Sequence, residues 1–419
     1  MKNNRVCRHL KKNSDLDYVL RFTGENNAFD LVCEKCVSLI KSNIKPDLYS
    51  IDQQAHAEIE EYNWLECKVP IIGEMKLPVS HPDFEFKSRV LAENILSDKK
   101  ICAIEPHPVE PYKWFAVSDS GELYIFDVDT LQAHLIYSLL PQWIDLKEPL
   151  HLSVSADGLF IAVANCYGVY GEVINVQSST QTMKLERSDY HVEHCYFPLV
   201  FTEYREQPLL IHATDWDHLD VSDPATGVRV VMHPEKFDSD RCEQHERAAS
   251  FRGELLVSPD HNWIIDNGWE WHPVGAVSSW SIKNWIEKNP WEFVSSASMV
   301  SHTGKEYFWG QPVCWVNNNT VCIWGWGQDD CQVLPAVSFY DVETGERTGW
   351  LCGPDGSLVF DRFLFAYSAD KGTTVWDVDN GNCVLMDASA NAKNYHPVGQ
   401  YFVDISDKGQ WIIRNLQQK

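Results

Sequence analysis

Four stretches end alike: Phe126-Asp127-Val128-Asp129-Thr130, Leu219-Asp220-Val221-Ser222-Asp223, Tyr340-Asp341-Val342-Glu343-Thr344-Gly345 and Trp376-Asp377-Val378-Asp379-Asn380-Gly381. Each is an apolar residue, an Asp, a Val and then a polar turn. Recurrence at spacings of tens of residues marks one supersecondary unit that has been copied. Such an architecture presents surfaces and points to no particular reaction.

From Ile101 onward, short apolar runs alternate with turns rich in Asp, Gly, Pro and Asn. Only 282–288 reads as a short helix. Strand signals at this density predict an all-β sandwich, barrel or propeller. The repeats favour a propeller of about seven blades; six or eight blades, and a pair of packed sheets, are the competing arrangements. Parsed as strands a, b, c and d, the first unit uses 101–104, 114–117 and 123–126, and the seventh uses 401–403 and 410–413. The last unit is one strand short. A ring that does not close exposes sheet edges, so a strand from within 64–90 is expected to complete it. Asp157-Gly158, Asp260-His261-Asn262 and Asp407-Lys408-Gly409 suit the a–b hairpins, where Asp and Gly make tight turns.

These features resemble the WD-repeat propellers over about three quarters of the chain. Trp376-Asp377, Tyr340-Asp341 and Phe126-Asp127 stand at c-strand ends, and Ser155-Ala156-Asp157-Gly158 and Ser406-Asp407-Lys408-Gly409 give the turn. The chain departs from that pattern: the Gly-His signature is absent, and the fourth and fifth units carry insertions.

The N-terminal segment stands apart. Cys7-Arg8-His9 and Cys33-Glu34-Lys35-Cys36 pair three thiols with one imidazole, a set that suits tetrahedral zinc. So short a segment buries little core, and a metal would supply its folding energy. The four ligands Cys7, His9, Cys33 and Cys36 leave no open position, which makes the expected zinc structural. Strands are expected at 18–22 and 28–32, with a helix starting at Val37. Cys7-x-His9-Leu10 and Phe29-Asp30-Leu31-Val32-Cys33-x-x-Cys36 resemble the first zinc site of ubiquitin-carboxyl-hydrolase-type zinc fingers. That resemblance implies a single-zinc fold able to dock a protein; ubiquitin binding is not implied, because 37–54 has no Cys or His. The expected organisation is a zinc-binding α+β module over 1–45, a connector over 46–100 and an all-β propeller over 101–419.

Composition narrows the function. There are 60 acidic residues against 35 Lys and Arg, a net charge of -25 over 419 residues. Such a field repels nucleic-acid phosphates and anionic membranes and favours a cationic protein partner; solubility alone is the plainer reading. The first twenty residues have no apolar signal-peptide core, and no run is long enough to span a membrane. The 13 cysteines form no disulfide-like framework, which suits a reducing, cytoplasmic compartment.

Trp is frequent, with 17 residues, and unevenly placed. Asp215-Trp216, Trp269-Glu270-Trp271-His272 and Trp324-Gly325-Trp326 with Asp329 all follow a b strand. In a propeller the b–c loops share one face, so these residues are expected to form an aromatic, acidic rim. Trp faces beside carboxylates suit Lys or Arg through cation–π contact and ion pairing. The alternative is that these rings only plug the spaces between blades. No nucleophile elbow, phosphate loop or H-E-x-x-H motif is present. The expected function is a non-enzymatic interaction scaffold; the rival is a propeller hydrolase or lyase using His212, Asp215, Asp217, His218 and His272.

Overall fold

The computed structural model describes residues 18–22, 30–32, 49–53, 83–91, 99–232, 250–271, 273–294, 296–326, 334–406 and 410–419. Seven antiparallel sheets form the blades of a seven-bladed β-propeller. Among the described residues the only α-helix is Ile282–Glu287, capped by the Ser281 side chain, which accepts the Asn284 N–H.

The blades occupy 101–138, 150–186, 199–222, 250–306, 313–352, 357–387 and 394–418. Among the described residues the third has three strands. The seventh takes its fourth strand from Phe84–Val90, which lies beside Trp411–Gln418. Inner strands such as Phe160–Asn165 are buried on both faces and read as continuous apolar runs. The outermost strand Gln132–Ser138 is largely exposed.

By its contacts the chain divides into two compact units. The larger comprises Lys87–Thr303 and Lys393–Asn415. In it the first strands of successive blades lie side by side: Asn394–His396, Ile101–Pro106, Leu150–Val154, Leu199–Tyr204 and Ser250–Val257. Its apolar cores sit between blades. Phe126 and Trp114 meet Trp411, and Phe115 and Val117 meet Ile161 and Val163. Trp280, Trp285 and Phe293 fill a third cluster.

The smaller unit takes in the described residues of Met1–Phe86, Gly304–Ala392 and Leu416–Lys419. Cys322, Phe339, Leu364 and Trp376 form its core. Its N-terminal sheet pairs Tyr18–Phe22 with Asp30–Val32 on one side and Tyr49–Gln53 on the other. That third strand lies in the stretch read as connector, where Tyr49 and Ile51 alternate with Ser50 and Asp52. Cys7, His9, Cys33 and Cys36 lie outside the described residues.

The recurring Asp has a local cause. Asp127 Oδ1 accepts the N–H groups of Asp129 and Thr130, each at 2.9 Å. Asp341 does the same for Glu343 and Thr344, and Asp377 for Asp379 and Asn380. These are Asx turns, in which a short carboxylate satisfies the backbone as it reverses. The following Val is a core residue: Val128 and Val342 are buried. The third blade corrects the sequence alignment. Its turn residue is Asp223, which accepts the Ala225 N–H at 2.8 Å. Asp220 is instead fully buried, accepts the Thr214 hydroxyl at 2.8 Å and pairs with Arg229 at 3.2 Å. In the second blade Asn175 takes the role, accepting the Ser178 N–H.

Candidate functional site

An aromatic cluster in the larger unit brings three chain segments together. The first is the d–a loop after Thr180–Glu186, carrying Tyr190 and His191. The second is the b–c loop after Gln207–Ala213, carrying Asp215 and Trp216. The third is the a–b pair of the fourth blade, Ser250–Val257 and Trp263–Glu270, which carries Phe251, Trp269 and then Trp271. Strand direction alternates along a blade, so b–c loops, d–a loops and the starts of a strands share one face.

The floor of the cluster is a cross-strand pair. Phe251 opposes Trp269, and their rings stack at 3.9 Å and 4°. The register shifts between Phe251 and Glu254, which marks a β-bulge. Two glycines make the bulge possible. A Cβ on Gly268 would overlap the Phe251 carbonyl, and one on Gly253 would overlap the Asn267 carbonyl. The Trp269 indole N–H donates to the Cys195 sulfur at 3.3 Å, which ties the floor to the d–a loop.

Two buried arginines hold the loops in place. The Arg252 backbone N–H donates to the Trp216 carbonyl at 3.0 Å, and its Nε donates to the Asp217 carbonyl at 3.2 Å. The same guanidinium pairs with buried Asp266 at 3.1 Å. Burial pushes the Asp266 carboxyl up, and Arg252 pulls it back. Arg187 donates to the carbonyls of Gly168, Cys195 and Tyr196, at 2.8, 2.7 and 3.3 Å. Both arginines are spent on internal carbonyls and carboxylates, so neither offers its charge to the surface.

Above this floor Tyr190, Trp216, Phe251 and Trp271 line a pocket of about 310 Å³. Trp216 packs on Phe251 at 4.6 Å. Tyr190 stands 5.5 Å from Trp216 and 5.8 Å from Phe251, and Trp271 stands 5.6 Å from Phe251. Phe251 is 1 % exposed and Trp269 7 %, whereas Tyr190 is 46 % and Trp271 49 %. The pocket therefore has a fixed base and solvent-facing walls. His191 adds a ring 5.4 Å from Trp271. Exposed carboxylates lie on the same segments: Asp189, Glu193, Asp215 and Glu270. Asp215 accepts the Trp216 N–H at 2.8 Å. Asp217 is raised by burial and by the neighbouring Asp215 charge.

Of the residues expected at a rim, the structure thus brings together Asp215, Trp216, Trp269 and Trp271. His272 and Asp329 lie outside the described residues. Trp324 belongs to the smaller unit, where its indole N–H donates to the Pro354 carbonyl at 3.1 Å and its ring packs on Phe308 at 5.7 Å. Trp326 pairs through its backbone with Leu334. Tyr190 and Phe251 were not anticipated. Tyr190 could have been found by extending the shared-face rule to d–a loops; Phe251 carries no signal in sequence, because its role depends on the bulge.

Other polar groups have local partners. His212 is buried, with Nε2 3.0 Å from the Ser222 hydroxyl, and burial keeps it below its ordinary value. The His218 ring meets Trp291 and Phe293 edge-on. On the first strands of blades one and two, burial pushes Glu105 up to about 8 and His151 down to about 4. Among the described residues no group of three or more His, Cys, Asp or Glu could hold a metal ion, and no helix is long and apolar enough to cross a membrane.

No protein-family model matches the chain, and no curated protein matches it. The class that the fold defines is the seven-bladed β-propeller, a scaffold that commonly mediates protein interactions.

Proposed function

We propose that the protein is a non-enzymatic interaction scaffold, with WD-repeat-like blades, that seats a basic side chain of a protein partner in the Tyr190–Trp216–Phe251–Trp271 pocket. One observation carries this reading. Four rings surround about 310 Å³ of space, and among the described residues the segments that supply them bear exposed carboxylates and no exposed Lys or Arg. A cation gains from ring faces and from the acidic field at once. Exposed Trp and Tyr over a buried aromatic base also fit the composition of interface anchors. The net charge of -25 supports a basic partner and disfavours nucleic acid and anionic membrane.

The test is a titration with fluorescein-labelled Lys-rich and Arg-rich peptides, an acidic peptide serving as control. Basic peptides are expected to bind, with loss of affinity in Trp271→Ala. Equal binding of acidic and basic peptides would refute the reading.

A structural zinc at Cys7, His9, Cys33 and Cys36 is part of the same proposal, supported by ligand type and spacing. Metal analysis of the purified chain and of Cys33→Ser/Cys36→Ser checks it: one equivalent of zinc is expected in the first and none in the second. A cytoplasmic setting is supported by the mostly buried thiols of the blades, Cys166, Cys195, Cys314, Cys322, Cys352 and Cys383 among them, which form no disulfide.

A further inference from the structure

We infer that the pocket selects a methylated ammonium group, such as a trimethyl-lysine side chain, over an unmodified lysine or arginine; this rests on the cationic-partner reading above. The reason is the balance of donors and acceptors. An unmodified ammonium brings three N–H donors that need partners once it leaves water. Lys305 of this same protein shows what such a group takes when buried. Its Nζ donates to Gln311 Oε1 at 2.7 Å, to the Trp324 carbonyl at 2.9 Å and to the Gly325 carbonyl at 2.7 Å. Among the described residues, the side chains that line the pocket offer nothing comparable. Of its four lining side chains, Phe251 has no polar atom, the two indoles only donate, and the Tyr190 hydroxyl is the single acceptor.

A trimethylammonium group has no N–H to satisfy. Its charge is spread over methyl groups, which pack on ring faces while the positive charge meets the negative π cloud. The ring arrangement suits that contact. Trp216 and Tyr190 are inclined at 61°, and Phe251 closes the base with its far face held against Trp269. The volume of about 310 Å³ is at the small end for a ligand site and is enough for a side-chain head. Asp189, Glu193, Asp215 and Glu270 are exposed on the surrounding segments, where they favour a cation through the field without lining the cage.

The experiment uses the full chain and four probes: a peptide carrying one trimethyl-lysine, its unmodified twin, choline chloride, and 3,3-dimethylbutan-1-ol, the neutral isostere of choline. Intrinsic Trp fluorescence and calorimetry read binding. The trimethylated peptide should bind at least about tenfold tighter than its twin, and choline at least about tenfold tighter than the isostere. Trp271→Ala and Tyr190→Ala should abolish that preference while melting close to the parent protein, and Trp271→Phe should retain most of it.

The unmodified twin binding equally well or better would overturn the methyl preference and leave the basic-partner reading standing. Equal binding of choline and its neutral isostere would overturn it too, showing burial without charge recognition. Choline binding with neither peptide binding would keep the ligand class, assign it to a small molecule, and remove the protein-partner reading. No binding of any probe would remove both.

Discussion

Trp269 and Trp271 are two residues apart, and the structure gives them opposite duties. Trp269 is 7 % exposed, stacked on Phe251 at 3.9 Å and hydrogen-bonded to Cys195. A Trp side chain buries about 200 Å² when enclosed, worth about 5 kcal/mol at about 25 cal/mol/Å². Measured Trp→Ala costs in cores run at about 3–5 kcal/mol, so Trp269→Ala should cost about that much. Trp271 is 49 % exposed. Half the area gives an upper bound of about 2.5 kcal/mol, and compaction of the unfolded chain reduces this to about 1–2 kcal/mol. Thermal melts followed by far-UV circular dichroism compare the two alanine variants, and the basic-peptide titration is repeated on Trp271→Ala well below its melting point. The midpoint should fall at least twice as far for Trp269→Ala. Trp271→Ala should lose about 1–2 kcal/mol of peptide binding, the value of a partly desolvated cation–π contact. Equal melting losses in the two variants, or unchanged peptide affinity in Trp271→Ala, would refute the assignment of floor and wall.

Two further outcomes are expected. Gly268→Ala should destabilise the fold and weaken peptide binding together, because the new methyl would displace the Phe251 carbonyl and with it the pocket base; normal binding with a normal melt would show that the bulge does not set the site. Glu105→Gln should stabilise the protein at pH 8 and leave it unchanged near pH 4. Below 4.5 both native and unfolded Glu105 are protonated; between 4.5 and about 8 only the unfolded state ionises, so stability falls with rising pH and levels off above about 8. That gap, at about 1.4 kcal/mol for each pH unit, sets a ceiling of about 5 kcal/mol, and the solvent contact Glu105 keeps reduces it to about 2 kcal/mol. A Gln variant with the same advantage at both pH values would contradict this origin.

The fold was readable because its signals are local. An Asx turn needs one carboxylate at a fixed distance from two N–H groups, so Asp127, Asp341 and Asp377 recur with the same neighbours. The slip at Asp220 has the same root. Leu219-Asp220-Val221 copies the apolar-Asp-Val pattern, but the residues that complete the turn follow Asp223: Asp223-Pro224-Ala225-Thr226-Gly227 matches Asp341-Val342-Glu343-Thr344-Gly345 in Asp, Thr and Gly. Strand alternation made the convergence of Trp216 with Trp269 and Trp271 readable. It did not separate floor from wall, because that depends on the Phe251–Trp269 register across a bulge. Phe251 itself follows a long charged stretch, and sequence offers no reason to pair it with a tryptophan two strand-lengths away. Trp324 shows the other limit: a Trp after a b strand is also placed to donate to a neighbouring carbonyl, here that of Pro354.

Fluorine NMR of protein labelled with 5-fluorotryptophan, recorded while a basic peptide is added, tests the seat itself. Resonances of Trp216 and Trp271, assigned by Trp→Phe replacement, should move with the peptide's binding isotherm, while those of the enclosed Trp114 and Trp376 stay fixed. Peptide that binds and leaves Trp216 and Trp271 unmoved would place the interaction elsewhere and contradict the account.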